Sequence, residues 1–242
     1  MQIKVHRSAT NTYQLYTLPA GEIPLLNALN YIKETQDATL TFSSGCRASV
    51  CGTCAVRVNG KEELACSYKV KPDDIIEPLQ YHPVLRDLKV DKDPAKVTLV
   101  RANTWVQQHQ EAPLTHQDEQ TTEQQTDCIL CDSCYSACPV LAVNPDFLGP
   151  FALTRAYRYS IDKQEAQSQS IIDAIQLNGV WDCTLCGECT AVCPKGIDPK
   201  MDITRLRSLS VQQGHTDPSF AQTSFGTPNF GGGFGFDPNG GF

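Results

Sequence analysis

The chain has 242 residues, a formal net charge of −7 and 12 cysteines. No basic patch stands out against 20 Lys and Arg and 27 Asp and Glu, which excludes a nucleic-acid binder, and no apolar run approaches the ~20 residues of a membrane-spanning helix. A secreted disulfide scaffold is a poor fit as well: the opening "MQIKVHRSAT" has no apolar h-region, and cysteines set in tight x2 clusters in an intracellular context point to metal.

In chain order, "IKVHR" (3–7) and "YQLYTL" (13–18) read as two strands joined by the turn-rich "SATNT". Pro24 then suits the first position of a helix, and Leu25, Leu29 and Ile32 repeat at i, i+4 and i+7 to give one apolar face. "TLTF" (39–42) is strand-like. "AVRV" and "KEELAC" flank Asn59-Gly60, the signature of a type I′ hairpin turn. "DIIEPL" (74–79) supplies a last strand before Pro78. Strand pair, helix, hairpin and strand are the order of a β-grasp sheet with a helix across it.

From about residue 94 the pattern changes. "PAKVTLVRANTWVQQ" predicts a helix, whereas the polar "THQDEQTTEQQTD" (115–127) reads as a linker or exposed loop. "PFALTRAYRYS" (150–160), "SIIDAIQLN" (170–178) and "DITRLRSL" (202–209) carry helical apolar faces, and no alternating strand pattern occurs among them. The expected class is α+β: residues 1–95 form a β-grasp 2Fe–2S ferredoxin-like domain, and 96–213 an all-α helical ferredoxin domain with two cubane-type clusters. Residues 214–242 end in a Gly- and Phe-rich tail whose composition cannot build a core; it is a flexible end or docks on a partner.

The cysteines carry the chemistry. Cys46, Cys51 and Cys54 stand at x4, x2 spacing with Cys66 further on, the plant-type 2Fe–2S arrangement. Gly45 and Gly52 let the backbone close on the sulfurs, so that amide N–H groups point at them. Zinc prefers paired C-x2-C knuckles, which this spacing matches poorly. "CILCDSCYSACP" (128–139) and "CTLCGECTAVCP" (183–194) each follow C-x2-C-x2-C-x3-C-P, and in two-cluster ferredoxins the fourth cysteine of one run serves the other cluster. The expected ligand sets are therefore Cys128, Cys131, Cys134 and Cys193 for one 4Fe–4S cluster, and Cys138, Cys183, Cys186 and Cys189 for another. All 12 cysteines are then used, four to a cluster. His6, His82, His109, His116 and His215 lie outside every cysteine loop, which excludes a Rieske site and c-type haem attachment. No G-x-G-x-x-G fingerprint occurs, and no catalytic residue stands out on this chain.

The order of these units, with "LLNALNYIKE", "CRASVCGTCAVRVNG", "LRDLKVD", "CPVLAVNPDFLGPFAL", "RYSID", "NGVWDCT" and "CPKGIDP", resembles the iron–sulfur subunits of succinate dehydrogenase and fumarate reductase. The resemblance covers about 1–212 and is strongest to the fumarate reductase branch. It implies an electron-transfer subunit without its own substrate site, relaying electrons between an FAD-containing flavoprotein and a membrane-anchor subunit that handles quinone. The 2Fe–2S cluster then lies nearest the flavin and the third cluster nearest the quinone. The expected location is peripheral, at the cytoplasmic side of the cell membrane.

Two positions depart from the best-known members of that family. Many have an aliphatic residue where Cys186 stands, and their third cluster is 3Fe–4S; the extra thiolate implies 4Fe–4S here, with 3Fe–4S the outcome if Cys186 does not ligate. An added thiolate lowers the potential, which points to menaquinone or a thiol system as partner rather than ubiquinone. The family's quinone-side tryptophans and histidine are replaced by Ala142, Val143 and Thr184, so only Pro139, Val140 and Thr184 are assigned to the quinone side, by position. The alternative reading is the iron–sulfur subunit of a thiol-driven fumarate reductase with a cysteine-rich partner subunit. A free ferredoxin-like carrier or a zinc-bound interaction protein is a third, and metal analysis separates it from the others.

Overall fold

The computed structural model describes residues 1–221; the Gly- and Phe-rich stretch at 224–242 lies outside the described residues. The first half is a five-stranded sheet in the order β2-β1-β5-β3-β4, made of β1 (Gln2–Arg7), β2 (Thr12–Thr17), β3 (Ala55–Val58), β4 (Lys61–Leu64) and β5 (Ile75–Glu77). β1 runs antiparallel to β2 and parallel to β5, while β3 is antiparallel to both β4 and β5. The β3–β4 turn has Asn59 at φ 52° and Gly60 at φ 83°, the two positive values a type I′ turn demands. Helix α1 (Leu25–Thr35) lies on the sheet and buries Leu25, Leu26, Ala28, Leu29 and Ile32 in one core with Ile3, Val5, Val56 and Ile76. Pro24 caps this helix from outside, one position earlier than expected.

The stretch 39–42 is not a strand, and the reason is polar. Thr39 N bonds Asp37 Oδ1 at 2.9 Å, and Thr41 N bonds Asp87 Oδ2 at 3.0 Å. Side-chain acceptors thus take the donors that a ladder would use. Arg7 closes the arrangement, pairing with both Asp37 and the fully buried Asp87. The Arg7 guanidinium is held above its usual range, because its bonds to Asp37, Tyr16 and Asp87 outweigh the opposing effect of burial. A short ribbon, β6 (Val84–Arg86) with β7 (Lys89–Val90), follows in the "LRDLKVD" segment.

The second half is helical. α2 (Asp93–Arg101) stops well before the expected end, because Asn103 takes the left-handed conformation (φ 50°) that terminates helices. The expected loop at 115–127 is a helix, α3 (His116–Thr126). It has no apolar stripe, so periodicity could not reveal it; a reciprocal Thr115–Asp118 capping box starts it, and polar anchors hold it. Gln125 Nε2 donates to Asp202 at 2.8 Å and Gln124 Nε2 to the Gly196 carbonyl at 2.7 Å. α4 (Ser133–Ser136), α5 (Pro150–Ser160), α6 (Ser168–Ala174), α7 (Glu188–Ala191), α8 (Pro199–Gln212) and α9 (Pro218–Ala221) follow among the described residues, with a 3₁₀ turn at Pro139–Ala142. Phe147, Phe151, Ile171, Ile172, Ile203 and Leu206 centre a second core that begins at Ala95. The molecule is thus α+β, a small sheet domain followed by a helical ferredoxin-type region.

Candidate metal centres

The first thiol group lies on the loop between α1 and β3, with Cys66 just past β4. Arg47 (φ 60°), Ser49 (φ 56°) and Gly52 (φ 67°) are left-handed, and such inversions turn successive amides inward into a nest for negative charge. The amides of Ala48, Val50 and Cys51 reach Cys46 Sγ at 3.4, 3.3 and 3.3 Å. The Thr53 hydroxyl donates to Cys51 Sγ at 3.1 Å and is the leading cause that brings this thiol down to about 6. Cys54 lies at the buried end, where desolvation pushes it up to about 11. At Cys66 burial opposes ionisation, but hydrogen bonds led by that of Ser49 outweigh it and lower the thiol. A side chain at Gly45 would meet Cys51 Sγ at 2.8 Å and the Thr53 hydroxyl at 3.3 Å, so a larger residue here would press on the thiol.

The two C-x2-C-x2-C-x3-C-P runs fold alike. In each, the residues flanking the second cysteine are left-handed: Leu130 (φ 50°) and Asp132 (φ 66°) in the first run, Leu185 (φ 56°) and Gly187 (φ 90°) in the second. A one-turn helix, α4 or α7, then carries the third cysteine. Cys193 does not stay with its own run. It lines a small, largely apolar cavity with Cys128, Cys131 and Cys134, walled by Ile129, Leu130, Phe151 and Ile197. Conversely, Cys138 stands near Cys183 and Cys186; it is raised to about 11, first by burial and then in part by those two neighbours. Cys189 is raised to about 12 by burial and by Cys183, Cys138 and Cys186 around it. Burial also lifts Cys134 well above the usual thiol range. These buried thiols ionise only against a metal, so loading releases protons. Arg207 of α8 secures the third group from behind, donating to the carbonyls of Val180 at 2.8 Å and Cys183 at 2.6 Å.

Among the described residues, no disulfide joins the cysteines, and no three His, Cys, Asp or Glu side chains close around one point as ligands of a single ion do. Amides surround the first group, the second lines one apolar cavity, and in the third Cys138 and Cys189 stand near Cys183 and Cys186. Such donor sets fit iron–sulfur clusters. Of the residues assigned to the quinone side, Pro139 and Thr184 are exposed, whereas Val140 is 5 % exposed and packs in the second core.

The two halves meet at the first two thiol loops, with Lys92, His82 and Glu62 joining in from outside the cysteine motifs and Ser136 from within the first run. A Cβ on Gly52 would lie 2.7 Å from Cys131 Cβ and 2.9 Å from the Ile129 carbonyl, so the first thiol loop rests directly on the second. Lys92 Nζ donates to Cys131 O at 2.7 Å and Gly52 O at 3.3 Å, with Asp132 Oδ2 at 3.8 Å. Burial is the main reason that the Asp132 carboxyl stands at about 6, although Lys92 pulls it down. Buried His82 stacks on Tyr135 at 5.1 Å and is depressed to about 4, by desolvation and then by Lys92. Ser136 Oγ donates to Glu62 at 2.7 Å and accepts from Gln80 N at 2.8 Å.

A β-grasp 2Fe–2S unit abutting a helical unit with two interleaved four-cysteine runs defines a multicluster iron–sulfur electron-transfer protein. Comparison with known proteins narrows this. Residues 2–96 match the family model "2Fe-2S iron-sulfur cluster binding domain" and 124–197 the model "4Fe-4S dicluster domain". The fumarate reductase iron–sulfur subunit of Mycobacterium tuberculosis is 37% identical over 209 residues, covering 81% of this chain and 85% of that protein. The 8-methylmenaquinol:fumarate reductase iron–sulfur subunit of Wolinella succinogenes is 37% identical over 223 residues, covering 84% and 70%. The Sdh1 complex of Mycobacterium smegmatis in the apo form contains a chain of the same fold, with TM-score 0.78 at 20% identity, covering 89% of this chain and 97% of that one. The chain belongs to the iron–sulfur subunits of the fumarate reductase and succinate dehydrogenase family. It transfers electrons within such an oxidoreductase complex and carries one 2Fe–2S and two further iron–sulfur clusters.

Proposed function

We propose that Cys46, Cys51, Cys54 and Cys66 hold the 2Fe–2S cluster, that Cys128, Cys131, Cys134 and Cys193 hold one 4Fe–4S cluster, and that Cys138, Cys183, Cys186 and Cys189 hold a second. The observation that carries this reading is the exchange of fourth cysteines: Cys193 lines the cavity of the first run, and Cys138 stands among the thiols of the second. When bound, the three clusters supply one-electron relay sites between a flavin and a quinone. The chain's own residues hold these sites in order, aim amides at the first group, and keep water from the second with Ile129, Leu130, Phe151 and Ile197.

The partners that fit this role are an FAD-containing flavoprotein beside the first group and a membrane anchor beside the third. Among the described residues, no helix is long and apolar enough to cross a membrane. Peripheral attachment to a membrane complex is the location that fits this role, and the cytoplasmic side of the cell membrane is the side we assign to it. Cys186 supports a fourth iron in the third cluster, hence a lower potential and menaquinone as the matching quinone partner; the methylmenaquinol named for the Wolinella succinogenes relative supports the same choice. Pro139 and Thr184, exposed at the start of the 3₁₀ turn and in the second run, are the positions offered to the quinone side, with Val140 behind them in the core. The thiol-driven alternative is not favoured by the relatives.

The test is EPR of the purified complex. Oxidised wild-type protein prepared anaerobically should lack a 3Fe–4S signal. Cys186→Ser should acquire one at about one spin per complex while keeping the other two clusters. A strong 3Fe–4S signal already in the wild type would refute the role of Cys186.

A further inference from the structure

Lys92 has no place in the ligand sets, yet it occupies the seam where the loops of the first two touch. It sits just before α2, with its stem running inward and its side chain 19 % exposed. The ammonium bonds Cys131 O at 2.7 Å and Gly52 O at 3.3 Å. Cys131 is an assigned ligand of the second cluster, and Gly52 follows Cys51, an assigned ligand of the first. The loops are already in van der Waals contact at Gly52, where no Cβ fits. One cation therefore serves two cluster loops at once, and Asp132 Oδ2 at 3.8 Å is the counter-charge beside it.

We propose that Lys92 is a positioning residue that locks the first two cluster loops together and, by its charge, raises the reduction potentials of both clusters they hold. The inference rests on the ligand sets given above. Reduction adds one negative charge to a cluster, and a nearby fixed cation stabilises the reduced form. The same field acts at both sites, so it moves the potentials together and preserves the driving force between them. Asp132 opposes it, which fixes the sign of a second substitution. The left-handed φ of 66° at Asp132 suits asparagine equally, so Asp132→Asn keeps the loop and removes only charge.

The experiment is an EPR-monitored redox titration of the intact complex carrying Lys92→Gln, Lys92→Arg or Asp132→Asn. Lys92→Gln should shift the first and second clusters to more negative potentials and leave the third unmoved. Lys92→Arg should stay near wild type, and Asp132→Asn should shift the same two clusters positively. Unchanged potentials in both Lys92→Gln and Asp132→Asn would overturn the proposal, as would equal negative shifts in Lys92→Gln and Lys92→Arg. If Lys92→Gln fails to assemble, the Asp132→Asn titration decides: a positive shift sustains the charge role and no shift overturns it. The ligand sets have a separate readout, since Cys131→Ser must disturb the second cluster's own signal whatever Lys92 does.

Discussion

At the scale of single residues, Gly52 is constrained both by its backbone and by its neighbours. Its φ of 67° disfavours any side chain, and a Cβ would meet Cys131 Cβ at 2.7 Å and Cα at 2.8 Å. Those neighbours are backbone and the Cβ of a cysteine fixed in the second thiol loop, so neither can move aside cheaply. Gly52→Ala should cost about 1–3 kcal/mol from overpacking, with roughly 1 kcal/mol more from the left-handed backbone. Thermal melting and iron analysis of the complex would show a lower Tm and a deficit confined to the first two clusters. Gly45 differs, since its Cβ would strike only Cys51 Sγ and the Thr53 side chain. The sequence marks both glycines as close to sulfur; that one of them faces the other cluster's loop is visible only in three dimensions.

At the scale of elements, α3 shows what polar anchoring can do without an apolar stripe. Gln125, 2 % exposed, bonds Asp202 of α8, itself 1 % exposed. Burial lifts the Asp202 carboxyl from 3.8 to about 6, and the bond from Gln125 restores only part of the difference. The folded state therefore favours the protonated acid. Its contribution is full below the unfolded value near 3.8 and is lost as pH rises through about 6. The loss is on the order of 2–3 kcal/mol for a shift of this size. Asp202→Asn retains an acceptor for Gln125 and cannot ionise. Its thermal stability relative to wild type should therefore rise between pH 5 and pH 7.5; a constant difference across that range would show that Asp202 does not titrate there.

At the scale of the whole molecule, stability is divided between two kinds of support. The sheet domain has a continuous core of Ile3, Val5, Leu25, Leu29, Ile32, Val56 and Ile76, all within 3 % exposure. The cysteine runs instead depend on α4 and α7, four residues each, which are far too short to persist alone. Metal binding is then a folding term for this region. Stripping iron with a chelator should open 128–138 and 183–197 to protease first, while peptides from β1, α1 and β5 stay protected. Mass spectrometry of the early cleavage sites checks this, and simultaneous loss of both halves would contradict it. The junction at Gly52, Lys92 and Ser136 joins the two halves and brings the first and second thiol loops into contact.

The cysteine spacings, the Asn59-Gly60 turn and the apolar faces of α1, α5 and α8 were legible because each is a local pattern with a local physical cause. They sufficed for the α+β class, the three cysteine groups and the family resemblance. The strand-like "TLTF" misled because Asp37 and Asp87, the second far along the chain, claim its amides. The "THQDEQTTEQQTD" helix was hidden because its support is a capping box and distant polar partners rather than periodicity. The spacing predicted the exchange of fourth cysteines, and in the structure Cys193 stands beside the first run and Cys138 beside the second; the tertiary structure alone decided that Lys92 spans two loops. Spacing can suggest an exchange of ligands, but only packing shows which thiols share a space. A lone lysine outside every motif gains meaning only from the carbonyls it reaches.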